Sequence, residues 1–200
     1  MLDKDNLPYA IGQNVSLTAM QYTVTTGNNY TYTTNGAAGY AGMVSTLDPD
    51  ATSTNQAINI TNTAYNLSEY QITKLTAKGI VTIKDSATKG TVITDGVTLA
   101  PVNSSYRRLS TTRIINYISK LLKEAVEPYV GRTDNLATKN SINTSVKSTL
   151  NKLVGSIINS YDFKVTSTAE EQRLGIIRIN YAVVPFNEIR QIFNTIEVTH

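Results

Sequence analysis

The side chains that could perform acid–base or metal chemistry are few in this chain, and their spacing suits neither. The only histidine, His200, is the last residue, whereas a catalytic relay holds its imidazole between a nucleophile and an orienting acid. Asp48 and Asp50 begin like a calcium loop, but such a loop needs Gly and Glu where this chain has Ser53 and Asn59. Neither feature therefore predicts a reactive centre.

The adjacent acids Glu170 and Glu171 precede a strand pattern, and they are more typical of a solvated turn than of a general acid–base pair. The sequence contains no phosphate-binding or dinucleotide-binding glycine loop and no nucleophile elbow. Because it has no cysteine, it also has neither disulfides nor thiolate metal ligands. We therefore expect no catalytic residue, no cofactor and no metal site, and we interpret the protein as a non-enzyme.

Basic residues, in contrast, are concentrated in the second half of the chain. Residues 101–200 carry thirteen Lys or Arg against eight Asp or Glu, while residues 1–100 carry five against seven. The sharpest cluster is Tyr106-Arg107-Arg108 with Arg113. These arginines could contact phosphates, pair with a neighbouring carboxylate patch or remain in water. The lack of interleaved aromatic residues and of a nucleic-acid-binding motif weakens the first interpretation.

The elements upstream of this cluster begin with a Thr-, Asn- and Tyr-rich stretch, a composition that favours strands and turns. Gln21–Thr26 and Tyr30–Thr34 flank Gly27–Asn29, whose residues tolerate positive φ. We therefore expect a β-hairpin in this region.

One helix upstream of the cluster is marked at both ends. Ser68 starts a capping box that Gln71 completes, and Gly79 is the expected C-terminal stop. Strands are expected directly after it, at Ile80–Ile83 and Thr91–Thr94.

Downstream of the cluster, apolar residues recur at helical spacing through two long segments. Ser110 or Thr111 is expected to cap the first helix, and Pro128 to end it. Its apolar face consists of Ile114, Ile115, Ile118, Leu121, Leu122, Ala125 and Val126. The second helix is expected to begin at Thr138 or Ser141. Its apolar face consists of Ile142, Val146, Leu150, Leu153, Val154 and Ile157.

The segment after these helices, Leu174–Val184, alternates in the manner of a half-buried antiparallel strand that Pro185 stops. Its apolar positions are Ile177, Ile179, Tyr181 and Val183, and its other positions are Arg178, Asn180 and Ala182. The two apolar helix faces need a partner surface, which a sheet in this region can supply. The predicted fold class is therefore α+β, with mixed or antiparallel sheets and two long amphipathic helices packed on the C-terminal sheet.

Signals for the membrane or for secretion are not found. No run of about 18 apolar residues occurs, and the N-terminus lacks the basic start and apolar core of a secretory signal. We expect a chain that is cytosolic when it is synthesised.

Taken in order, six segments resemble the C-terminal portion of tail sheath proteins from contractile-tailed bacteriophages and related contractile particles. The family's small-residue helix and following loop are similar to AAGYAGMVSTLDPDATSTNQAIN. Its helix with a Gly-Ile strand and its next strand are similar to LSEYQITKLTAKGIVTIKD and KGTVITDGVTL. Its arginine junction and first C-terminal helix are similar to YRRLSTTRIINYISKLL. The end of its second helix and its closing strands are similar to LVGSIINSYDF and LGIIRINYAVVPFNEIRQIFNTIEV.

This resemblance covers about residues 36–198 and implies two domains. Residues 1–104 would form part of a middle sheath domain, with strands, a hairpin and short helices. Residues 105–200 would form the C-terminal sheath domain, with two helices, antiparallel strands and a terminal arm strand. Sheath subunits of the family are usually much longer, so this chain is expected to begin inside the middle domain.

The function implied by the resemblance is that of a structural subunit. Such subunits assemble helically around a tail tube and contract to drive it through the host envelope. The implied partners are further copies of the chain, the tail tube protein, and the baseplate and tail terminator proteins, without direct contact to nucleic acid or membrane. The implied location is the virion tail, assembled in the bacterial host cytoplasm.

The resemblance also indicates which residues would make contacts. Terminal arms of the family add strands to the sheets of neighbouring subunits, a role that would fall here to Thr195, Ile196, Glu197 and Val198. Candidate contacts to the tube or to a neighbouring subunit are Arg107, Arg108, Arg113, Lys120, Lys123 and Lys147.

Two rival function classes remain. A surface or adhesin-like binding module is suggested by the Thr-, Asn- and Tyr-rich first forty residues, and it would bind a glycan or a receptor. An enzyme would need a pocket with convergent titratable groups, of which the sequence offers almost none.

Overall fold

The computed structural model describes residues 11–60 and 62–189, and these form two compact units. Unit 1 consists of the chain up to Thr112 and of the chain from Asn187 onward. Unit 2 is the stretch between them, Arg113–Phe186. The boundary between them falls inside a helix. The division into domains 1–104 and 105–200 stays a prediction.

Unit 1 is built mainly from short strands. They are β1 (Leu17–Thr18), β2 (Gln21–Thr25), β3 (Thr31–Asn35), β4 (Asn62–Thr63), β5 (Ile80–Val81), β6 (Ile83–Ser86) and β7 (Gly90–Ile93). Its helices are α1 (Ala37–Thr46), α2 (Glu69–Ala77) and the first residues of α3 (Leu109–Val126), and a 3-10 turn at Ser105–Arg107 precedes α3.

Small sheets organise these strands. β1 pairs parallel with β5, β2 lies between β3 and β4 in antiparallel pairing, and β6 and β7 form an antiparallel hairpin. Their inner sides meet α1 in a core of Met20, Tyr40, Ile58, Val81, Ile83, Ile93 and Val97. The core of unit 1 therefore joins segments that are distant in the sequence.

The hairpin predicted near the N-terminal end is confirmed. β2 and β3 are paired over their whole length, and Asn29 in the connection has a φ of 58°. Asparagine is one of the few residues besides glycine that enters the left-handed region readily. The turn is therefore encoded locally.

The capped helix is confirmed as α2. The hydroxyl of Ser68 accepts a hydrogen bond from the amide of Gln71, and the side chain of Gln71 accepts one from the amide of Ser68. Gly79 follows the helix with a φ of +86°, as expected for a residue that ends a helix. The strand predicted after it is split into β5 and β6.

Unit 2 packs two long helices against a two-stranded antiparallel ribbon. The helices are α3, which runs into a 3-10 turn at Glu127–Tyr129, and α4 (Leu136–Asn151). The ribbon consists of β8 (Ile158–Thr166) and β9 (Arg178–Pro185), which α5 (Ala169–Arg173) connects. Its buried core is Ile114, Ile118, Leu122, Ile142, Val146, Leu150, Leu153 and Ile158. The α+β fold class is confirmed.

The predicted start of α3 is wrong by two to three residues. The helix already includes Leu109, so Ser110 and Thr111 lie inside its first turn and not at its cap. A capping hydrogen bond is found instead at the preceding 3-10 turn, where the hydroxyl of Ser104 accepts from the amide of Tyr106 (3.2 Å).

The predicted start of α4 is also wrong. Asn135 caps this helix through its side-chain oxygen, which accepts from the amide of Thr138 (2.8 Å). The favourable cap residues Thr138 and Ser141 therefore lie within the helix. Asparagine is as good a cap as serine, so the sequence offered more than one valid start.

The end of α4 differs most from the prediction. The helix stops at Asn151, whereas the apolar spacing suggested that it continues to Ile157. Gly155 has a φ of +83°, which a continuing right-handed helix does not permit. The segment that resembled the end of a helix therefore turns and becomes β8.

Candidate interaction surfaces

The β8–β9 ribbon turns one face to the helices of unit 2 and the other to solvent. The inner face consists of Tyr161, Phe163, Val165, Ile179, Tyr181 and Val183, which pack on the core. The exposed outer face includes Asp162, Lys164, Arg178, Asn180, Ala182 and Val184. The alternation predicted for Leu174–Val184 is confirmed from Arg178 onward, and it follows from the two-residue period of a strand. The predicted start at Leu174 is wrong, because Leu174 is the C-terminal cap of α5 and Gly175 has a φ of +69°.

Sequence reasoning missed β8, although its signal is present. Tyr161, Phe163 and Val165 alternate with Asp162 and Lys164, as in a half-buried strand. The apolar spacing of the preceding helix ran into this segment and concealed the alternation. The strand β8 is therefore identified only in the structure.

The ribbon also offers strand edges. Within the described residues, β8 and β9 form a sheet without a third strand, and an isolated parallel bridge joins Ile158, at the start of β8, to Val154. The β8–β9 pairing runs from Ile158↔Pro185 to Thr166↔Arg178 with one irregularity near Ser160. Outward amide and carbonyl groups along such an edge can pair with a further strand. The ribbon is therefore suited to accept a strand from another chain.

Hydrogen bonds and an ion pair close the connected end of the ribbon. The Thr168 amide donates to Oε2 of Glu171 (2.9 Å), and the Arg178 guanidinium pairs with Oε1 of the same carboxylate. The Thr168 amide, followed by Arg178, lowers the pKa of Glu171 below its usual value. Glu171 thus completes the capping box that Thr168 begins and links α5 to β9, while Glu170 is exposed.

The arginine cluster of unit 1 is the second feature, and Arg107 binds four backbone carbonyls there. Its Nη1 donates to the carbonyls of Thr98 (3.2 Å) and Ala100 (2.7 Å). Its Nη2 donates to those of Thr76 (2.6 Å) and Ala77 (2.7 Å) in the last turn of α2. A helix leaves its last carbonyls without intrahelical partners, and the guanidinium of Arg107 donates hydrogen bonds to two of these carbonyls.

Arg108 pairs with two carboxylates of unit 1. Its Nη1 contacts Oδ1 of Asp95, and it lies 3.2 Å from Oε1 of Glu188. The exposed fractions of these side chains are 20% for Arg108, 7% for Asp95 and 11% for Glu188. Of the three interpretations of the arginine cluster, pairing with carboxylates holds for Arg108, and both carboxylates belong to its own unit. Sequence reasoning missed both carboxylates, because they lie far away in the sequence and carry no local signal.

The remaining predicted contact residues lie on the two helices. Lys120, Lys123 and Lys147 are exposed, and Nζ of Lys120 lies 3.9 Å from Oε1 of Glu124 one helical turn away. Arg113 is half-buried at the start of unit 2. Contact of all six basic residues with a tube or a neighbouring subunit stays a prediction. The predicted linking strand, Thr195–Val198, and the terminal His200 lie outside the described residues.

A groove of about 460 Å³ lies beside the arginine cluster in unit 1. Its polar wall includes Thr54, Thr73, Thr94 and Asp95. In the described part of the chain, no three His, Asp or Glu side chains converge as a metal-binding set. Among the same residues, no helix has the length and apolar content to cross a membrane.

No protein-family model matches the sequence, and no curated protein does so either. Solved structures do match. A chain of the anti-feeding prophage baseplate is 17% identical with a TM-score of 0.79, and the match covers 96% of this protein and 57% of that chain. A chain of the contracted helical sheath of the same particle is 16% identical with a TM-score of 0.74, and the match covers 92% of this protein and 55% of that chain.

A crystal structure of a sheath tail protein from Desulfitobacterium hafniense is 11% identical with a TM-score of 0.62, covering 92% of this protein and 54% of that chain. The protein thus spans about half the length of the chains it matches. At these identities the likeness shows the fold. The resemblance to tail sheath proteins seen in the sequence is therefore confirmed as a shared fold.

Proposed function

We propose that the protein is a structural subunit of a contractile tail sheath, which assembles helically with copies of itself around a tail tube. The observation that carries this proposal is the fold likeness over 92% of the chain to the subunit of a helical sheath in its contracted state. The role needs an extended surface that joins copies rather than a reactive pocket. The protein would reside in the tail of a phage or phage-like particle assembled in the bacterial cytoplasm.

The β8–β9 ribbon provides a physical means of joining copies. Its inner face is fixed on the helices, while its edges have room for another strand within the described part of unit 2. Strand addition supplies affinity through main-chain hydrogen bonds. Thr195–Val198 of a neighbouring subunit, with its strand-like sequence, is the proposed donor. Such a head-to-tail contact is heterologous and generates a helix where it does not close.

Contraction requires that the same subunits adopt two packings. In this proposal the helix–ribbon unit moves as a rigid block while the linking strand bends and keeps neighbours connected. The baseplate triggers the change, the terminator closes the far end, and contraction drives the tube through the host envelope.

Deleting residues 194–200 is expected to abolish helical polymers in negative-stain micrographs of the protein mixed with its tube protein, because the donor strand is lost. A matched control, Thr195→Ser with Thr199→Ser, keeps the length and the apolar residues and should polymerise normally. Unchanged polymers after the deletion would rule out this segment as the link.

The strand pairing itself can be tested by cross-linking, since the chain has no cysteine of its own. Ala182→Cys places a thiol on the outer face of β9. Successive side chains of an added strand point to opposite faces, so only one of Ile196→Cys and Glu197→Cys should form an intermolecular disulfide with it. Equal cross-linking of both, or of neither, would contradict strand addition at β9.

The basic helix residues are proposed to face an acidic tube surface. Replacing Lys120, Lys123 and Lys147 together by Glu should weaken co-sedimentation with tube protein, most strongly at low salt, where exposed charges are least screened. Lys89→Glu in unit 1, also at an exposed position, is the control and should have little effect. Co-sedimentation that does not respond to the triple change would place the tube contact elsewhere.

A second candidate function, a surface or adhesin-like binding module, has one observation in its favour. Tyr30 and Tyr32 are stacked with ring centroids 6.2 Å apart, and they are 68% and 44% exposed on the β2–β3 hairpin. Exposed aromatic rings of this kind are suited to binding an amphipathic ligand. Binding on a glycan array that disappears in Tyr30→Ala, without polymers in the presence of tube protein, would favour this module over the sheath subunit.

A further inference from the structure

Of the described residues that follow β9, Phe186–Ile189, the one with the least exposed side chain is charged and not apolar. Glu188 has only 11% of its side chain exposed, whereas Ile189 is 81% exposed. Proteins usually show the reverse, with isoleucine buried and glutamate in water. Among residues 187–189, the carboxylate of Glu188 is therefore the group placed to attach the chain to unit 1.

The partner of that carboxylate is Arg108, which Glu188 shares with Asp95. Asp95 also accepts a hydrogen bond from the hydroxyl of Thr54 (3.3 Å), so it is integrated into the unit. Neither carboxylate oxygen of Glu188 has a hydrogen-bond partner among the described residues. Glu188 is thus attached through its charge alone, at 3.2 Å from the guanidinium.

The neighbouring backbone does not strengthen this attachment. Residues 187–189 make no backbone–backbone hydrogen bond to another described residue. A buried ion pair offsets the cost of removing both charges from water only when further hydrogen bonds satisfy its remaining groups. Because Glu188 lacks such bonds, we expect its pairing with Arg108 to be weak enough to open.

We propose that Arg108 and Glu188 form a releasable latch, which holds the chain on unit 1 just after β9. Glu188 lies a few residues before Thr195, the start of the proposed linking strand. Closed, the latch fixes the origin of that strand; open, it gives the strand more reach toward a neighbouring subunit. This last consequence rests on the proposed function, whereas the latch itself does not.

Glu188→Gln tests the latch in the unassembled full chain, with cleavage by trypsin after Arg190 as the readout. Intact-mass spectrometry detects the loss of residues 191–200. The initial cleavage rate should rise roughly tenfold or more, because proteolysis follows the population of the open form. The control, Glu69→Gln, removes the same charge from a side chain that is 80% exposed, and it should leave the rate unchanged.

A second readout does not depend on cleavage. Ile189→Cys introduces the only cysteine of the chain, and a nitroxide attached to it reports motion next to Glu188. Adding Glu188→Gln should sharpen its paramagnetic resonance spectrum, and Glu188→Asp, which retains the charge, should give an intermediate line shape. Far-ultraviolet circular dichroism verifies that each variant is folded. An unchanged cleavage rate and an unchanged spectrum in folded Glu188→Gln would overturn the latch, whatever the assembly experiments show.

Discussion

Replacing Arg107 by alanine is expected to lower the free energy of unfolding of unit 1 by about 3 kcal/mol, because four backbone carbonyls lose a charged donor. Two of these carbonyls belong to Thr76 and Ala77 at the end of α2, and two belong to Thr98 and Ala100. The guanidinium therefore ties the helix to a loop about 20 residues further along the chain. Its removal leaves both pairs of carbonyls without this donor.

Arg107→Lys is expected to lose about half as much, since an ammonium keeps the charge but does not reproduce the planar fork that reaches two pairs of carbonyls. Urea unfolding followed by circular dichroism gives the free energies. Hydrogen exchange with mass spectrometry should show lost protection in α2 and around Ala100. Arg173→Ala, at an exposed arginine of α5, is the matched control and should change stability by less than about 0.5 kcal/mol. An equally small effect for Arg107→Ala would contradict the assigned role.

Leu150→Ala is expected to destabilise unit 2 by about 3 kcal/mol through lost apolar contact and the cavity left behind. Leu150 is fully buried on α4, in the core between the helices and the ribbon. Interiors are too tightly packed to close such a gap completely. The same experiment should therefore reduce exchange protection in both α3 and the ribbon.

Leu136→Ala is the matched control for this change, because it removes the same atoms from the same helix at a position that is 75% exposed. It should alter the free energy of unfolding by less than about 0.5 kcal/mol. Similar effects of the two substitutions would mean that Leu150 is not part of the packed core. Hydrogen exchange distinguishes this prediction from the one for Arg107. For Leu150→Ala, exchange protection should fall in residues 113–186 and not in α2.

Features that depend on neighbouring residues could be predicted from the sequence. The capping box of Ser68 with Gln71 and the positive φ of Gly79 arise within a few residues of one another, and both were predicted correctly. The alternation of β9 was also predictable, because one face of a strand meets the core and the other meets water.

Competing local signals explain the errors in unit 2. Leu153 and Ile157 continue the apolar spacing of α4, yet Gly155 turns the chain between them, and Ile158 starts β8. Helical and strand periods coincide over such short apolar runs. Pairing with β9, which lies about 20 residues further along the chain, decides in favour of the strand.

By itself, the sequence determined the α+β class, the amphipathic helices and the order of elements that resembles tail sheath proteins. Only the tertiary structure decided what the arginine cluster does. Arg107 binds carbonyls about 30 residues upstream. Arg108 pairs with Asp95, which precedes it in the sequence, and with Glu188, which follows it. Charge and composition are local properties of a sequence, whereas the partner of a charge depends on which distant segments the core brings together.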